Sequence, residues 1–168
     1  MLLAYKPYYY DPDRNCLVST SAPHLEWPQR RIVVAPCQYH HYDPVKNCTC
    51  GMLSTLSAEY VRNFYINSPE LDIENSELIP VLMTVQVLGN TIIDDNENVR
   101  SWGIFLYGIV AGEKYEASYT IVRNILWRKY QLVYSSMADS LETVFYYKNK
   151  VMESNSFKGI LYQGEQKA

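Results

Sequence analysis

The stretch that most restricts the fold is LIPVLMTVQVLG, residues 78–89. It is almost continuously apolar and rich in strand-forming residues. Such a run needs cover on both faces and reads as a central strand buried in a sheet. The following segment, 90–110, is strand-like on both sides of DDNEN, an acidic hairpin turn. Residues 2–10, LLAYKPYYY, read as a first strand, DPDRN (11–15) as a turn, and 16–20 as its hairpin return. Two prolines make 21–30 a loop, and the β-branched run 31–37 leads to Cys37.

Two helices are expected. In 57–67, Ser57 is the N-cap, with Tyr60, Val61 and Phe64 on one face. In 135–152, Ser135 or Ser136 is the cap, and Met137, Leu141, Val144, Phe145 and Lys148 form the inward stripe. Residues 68–77 read as an acidic loop, and 111–127 as a further turn and strand. Segments 87–105 and 106–122 share a common order of apolar-Gly, β run and acidic turn. Adjacent antiparallel strands account for this better than a duplicated hairpin does. The expected architecture is a single α+β domain over 1–155. A mostly antiparallel sheet of about five to seven strands packs on the C-terminal helix, and 156–168 form a weakly held tail.

Length and charge narrow the function. The chain has 168 residues, net charge −3 and pI about 5.6, which argues against a general phosphate-backbone binder. The apolar run near 104–111 is broken by Tyr107 and Gly108 and is too short to span a bilayer. The N-terminus carries no charged leader, so a cytoplasmic, reducing location with no membrane partner is expected. Tyrosine is the outlier, at sixteen residues. Its apolar ring and polar tip suit half-buried strands, and also contact surfaces.

Three of the four cysteines and two of the three histidines fall within CQYHHYDPVKNCTCG, residues 37–51. The spacing Cys37-x3-His41-x6-Cys48-x-Cys50 supplies three sulfurs and one imidazole, a set that closes a tetrahedral structural zinc site. Asp43, Pro44 and Asn47 supply a turn between the halves, and Gly51 lets the backbone pass close by. His40 competes with His41, and Cys16 and His24 are more distant rivals. The neighbours are polar, unlike those of cysteines that merely fill a core. A Cys48–Cys50 disulfide would be strained. Cys37 as nucleophile with His40 or His41 as base lacks an evident orienting group. A catalytic zinc would need an open position and a base such as Asp43.

The run VVAPCQYHHYDPVKNCTCGMLST resembles a pattern in small uncharacterised bacterial proteins, many actinobacterial: A-x-C-x3-H-x2-P-x3-C-x-C-G. Cys37, His41, Pro44, Cys48, Cys50 and Gly51 match it in turn. Trp27-Pro28 is similar to the family's tryptophan before the first cysteine. FLYGIVAGEKYEASYTIV (105–122) is similar to its later Trp-Gly strand and Gly-Tyr-Arg-Ala-Glu turn. The resemblance spans about residues 1–127 and implies His41 as the histidine ligand. It implies a metal and a domain layout, and no activity. Residues 78–104 depart from it, and nothing after 130 has a counterpart.

The functional expectation is a non-enzymatic, zinc-stabilised protein-interaction module with Zn2+ in a structural role. Trp27, Trp102 and the tyrosines would anchor a protein partner, and a Tyr-rich sheet edge would allow homo-oligomers. Phage-encoded proteins of loosely similar layout extend this to an accessory or regulatory protein of phage or mobile-element origin. One alternative is a small single-stranded nucleic-acid-binding protein using Lys46, Arg123, Arg128 and Lys129 beside Trp127. The other is a zinc- or cysteine-dependent hydrolase, or an acidic site of Asp94, Asp95 and Glu97 near Arg100.

Overall fold

A computed structural model describes residues 1–28, 32–34, 50–67, 78–111, 116–153 and 160–162. Its frame is an α+β fold dominated by one mostly antiparallel sheet. Strand β1 (Leu2–Asp11) lies antiparallel to β6 (Ile79–Ile93), with Leu2 opposite Val87 and Tyr10 opposite Ile79. β6 turns through Asp94–Glu97 into β7 (Asn98–Ala111), with Leu82 opposite Val110 and Ile93 opposite Val99. Val81, Leu82, Met83 and Val85 are buried, as expected of a central strand.

The other edge of β7 is shared by three short strands. β5 (Met52–Thr55) pairs with residues 98–101, β4 (Val33–Val34) with 103–104, and β8 (Val133–Ser136) with 108–111. β5 also meets β1, at Tyr5 opposite Thr55. Pairing therefore runs β1–β6–β7–β5 and back to β1, so the sheet curls until it closes. Two bulges in the β6–β7 hairpin supply the bend, at Thr84/Val85 and Leu88/Thr91. Gly89 sits in the second with φ +72°, and a Cβ there would lie 2.7 Å from that of Trp102. β2 (Cys16–Ser19) and β3 (Ala22–Glu26) extend the sheet beyond β1, and β9 (Ile160–Tyr162) adds a parallel strand to β6.

Among the described residues this makes nine strands, more than five to seven, because β3, β5, β8 and β9 add short strands of three to five residues. β3 replaces an expected loop. β3 is the sheet's outermost strand, the place in a sheet where proline is accommodated. Within the expected tail, Ile160–Tyr162 is sheet, opposite Thr91–Ile93.

The larger correction is at 111–127. Among the described residues no strand follows β7 there; residues 116–130 form helix α2 (Glu116–Tyr130). Tyr, Thr, Ile and Val mimic a strand, yet Val122, Leu126 and Tyr130 are buried at four-residue spacing. β8 lies parallel to β7, and parallel neighbours need a crossover, which α2 provides. Segment 106–122, compared above with 87–105, thus begins in β7 and ends in α2, which is no hairpin copy.

Helices α1 (Ala58–Asn67) and α3 (Met137–Glu153) match their expected places and caps. Ser57 Oγ accepts from Tyr60 N at 3.1 Å, and Ser136 Oγ from Asp139 N at 3.1 Å. The expected faces hold in part: Phe64, Met137, Leu141 and Val144 pack on the core. Val61 is buried while Tyr60 is exposed, and in α3 Ser140, Val144 and Val151 point inward while Phe145 is 63% exposed.

Candidate functional site

Strand β1 presents two faces. On one, the Tyr5 hydroxyl donates to the Ser140 carbonyl of α3 at 3.0 Å, and the side chain is fully buried. On the other, Lys6 and Tyr8 point toward β3 and the residues that follow it. There a cavity of about 430 Å³ is walled by Lys6, Ser19 and Ser21, by Leu25 to Pro28, and by Val33 and Gly51 to Leu53. Its size falls in the range of small-molecule sites.

Trp27 is the fixed wall. Its N–H donates to the Leu17 carbonyl at 2.7 Å, and its carbonyl accepts from the Tyr130 hydroxyl at 3.2 Å. That hydroxyl also accepts from Leu17 N at 3.0 Å, so α2 clamps β2 and Trp27 together. The Trp27 ring meets Tyr8 edge to face, with centroids 4.9 Å apart. Burial pushes the Tyr130 phenol up to about 12 and raises that of Tyr8 well above its usual value. The Trp27 Nε1 and Tyr8 hydroxyl are buried with no hydrogen-bond partner among the described residues.

Lys6 supplies the charge. Its Nζ donates to the Leu53 carbonyl at 2.7 Å and lies 5.8 Å from the Tyr8 ring centre. Desolvation drops its pKa from 10.5 to about 8. The cleft's carboxylate, Glu26, is engaged by Lys129 at 2.9 Å instead. The rim is apolar and open: Leu25 and Leu53 are more than half exposed, and Ile32 and Val34 are exposed nearby.

Of the expected zinc ligands, Cys37, His41 and Cys48 lie outside the described residues, as does the rival His40. Cys50 is described and half-buried, and its carbonyl accepts from Arg100 Nη1 at 3.2 Å. Among the described residues no three His, Cys, Asp or Glu side chains cluster as a metal site. The rival Cys16 is buried in β2, where burial raises its thiol pKa, and His24 is exposed on β3.

The acidic turn is occupied with its own backbone. Asp94 Oδ1 accepts from Asn96 N and Asn98 N at 2.9 Å each, and Glu97 is paired with Lys148 of α3. On α2, Lys129 bonds Asn15 O and Glu26, while the Arg123 guanidinium lies 4.3 Å from the Tyr134 ring centre. Trp127, one turn on, is 61% exposed. Of the expected anchors, Trp27 is buried in the cleft wall and Trp102 packs at the Gly89 bulge.

Sequence reasoning passed over Lys6. Its one signal was a cation alternating with Tyr8 on a strand otherwise buried on both faces. No helix among the described residues is long and apolar enough to cross a membrane. The chain matches no family model, no curated protein and no solved structure.

Proposed function

We propose that the chain is a non-enzymatic interaction module whose 37–51 loop is stapled by a structural zinc bound to Cys37, His41, Cys48 and Cys50. The observation that supports this is where the segment begins and ends. Val34 is opposite Gly103 and Met52 opposite Ser101, on the same edge of β7. At about 3.3 Å per residue these attachment points are about 7 Å apart along the strand. The ends of the metal segment are thus pinned side by side, which lowers the entropy of bringing Cys37 toward Cys48 and Cys50.

The zinc would hold that segment against β4 and β5, next to the exposed Leu25, Ile32, Val34 and Leu53. This apolar rim suits a protein partner. Accessory or regulatory work, including that of a phage or mobile element, fits such a module, as does the metal pattern shared with the bacterial proteins it resembles. Native mass spectrometry should find one zinc per chain. Chelation, or Cys48→Ser, should lower the Tm by at least 10 °C. Metal-free protein with a Tm indifferent to chelator would overturn the reading.

A second reading rests on the Arg123–Tyr134 stack beside exposed Trp127. These groups would bind single-stranded nucleic acid by stacking and charge. Salt-sensitive binding of an oligonucleotide, lost in Trp127→Ala, would support it, and no binding at low salt would remove it.

A further inference from the structure

We propose that the Lys6–Trp27 cleft is a binding site for a small apolar monocarboxylate, with the carboxylate on Lys6 and the hydrocarbon body against Trp27, Met52 and Leu53. The proposal rests on the cleft alone and does not depend on the zinc.

Three observations define the ligand. The cleft holds a cation with donors to spare. An ammonium has three N–H bonds, and one is used on the neutral Leu53 carbonyl. An anionic oxygen would accept from those that remain.

The charge is also unmatched. Lys6 has no carboxylate partner among the described residues, since Glu26 of β3 is held by Lys129. The other titratable neighbour is the Tyr8 phenol, whose pKa is raised by burial, so it stays neutral at the pH where Lys6 titrates. Among the described lining residues, Ser19, Ser21, Val33 and Leu53 add no charge. A bound carboxylate would give the ammonium the counter-charge that the described residues do not supply.

The walls are otherwise largely apolar, and one ammonium cannot satisfy a phosphate's several oxygens. A single carboxylate on a hydrocarbon body fits both the charge and the cavity.

The test is calorimetric titration of the full chain with octanoate, with 1-octanol as the uncharged match and octylamine as the cation. Octanoate should bind saturably, at least tenfold more tightly than octanol, and octylamine should not bind. Lys6→Met should lose that preference while retaining the wild-type Tm or exceeding it, and Lys6→Arg should keep it. Octanoate affinity should fall as pH rises through about 8, where free Lys6 loses its proton. Equal affinity for acid and alcohol, undiminished octanoate binding by Lys6→Met, or no saturable binding at millimolar concentration would each overturn the site.

Discussion

Tyr5 and Lys6 are consecutive residues of β1, and the same physical cause acts on them with opposite results. Burial takes both side chains out of water. It moves the Tyr5 phenol up from 10.0 to about 12 and the Lys6 ammonium down from 10.5 to about 8. Each shift favours the neutral form. The environments then diverge. Tyr5 ends on the Ser140 carbonyl inside a packed strand–helix contact, whereas Lys6 ends on a strand carbonyl beside a cavity. One face of the strand is satisfied by α3, and the other carries a charge with no counter-charge among the described residues.

The sharpest way to break this contrast is to remove the packed side. Tyr5→Ala should destabilise by about 3–5 kcal/mol, as large-to-small core changes do, seen as a lower urea midpoint. A loss under about 1 kcal/mol would mean the β1–α3 contact is not a core contact.

Alkaline pH separates the two faces next. A raised phenol pKa contributes stability that is complete below pH 10 and lost as pH climbs toward about 12, because the unfolded chain ionises first. A lowered ammonium pKa acts the other way: its burden is present below about pH 8 and is lifted between 8 and 10.5. Denaturation midpoints should therefore rise from pH 8 toward 10 and collapse above it. Lys6→Met should abolish the rise and leave the collapse. Ultraviolet titration should show Tyr5 and Tyr130 ionising only with unfolding.

A smaller test lies at the crossover. A Cβ on Gly108 would fall 2.7 Å from the Val133 carbonyl oxygen and 2.9 Å from Thr84 Oγ1. Gly108→Ala should push β8 away from β7 at a cost of roughly 1–3 kcal/mol, with hydrogen exchange quickening in 133–136 first. Finally, Tyr5→Phe should lose about 1 kcal/mol of hydrogen bonding. Tyr8→Phe should be neutral or stabilising, because its hydroxyl has no partner among the described residues to lose. Equal losses for the two would erase the distinction between satisfied and unsatisfied hydroxyls.

Much of the frame was legible in the residues. The run at 78–89, the turn at 94–97 and the caps Ser57 and Ser136 carry local chemistry that fixes β6, β7, α1 and α3 almost where they stand. The failures have one character. Residues 116–130 have strand-like side chains but must connect parallel neighbours, so packing on the sheet overrides propensity. Pro23 suggested a loop because its position at the sheet edge was invisible. Phe145 looked like core because hydrophobicity does not show which face a helix turns inward. The metal ligands were read from spacing and stand as a proposal. Lys6 needed the fold, since its neighbours Trp27 and Leu53 lie 21 and 47 residues away in the chain.

The sequence by itself determined where β6, β7, α1 and α3 start and stop, because caps, turns and apolar runs act over a few residues. Only the tertiary structure decided that the sheet closes through the Tyr5–Thr55 contact, and that a lysine is left at the edge of a cavity. Desolvation depends on everything packed around a group, and that surrounding is assembled from distant parts of the chain.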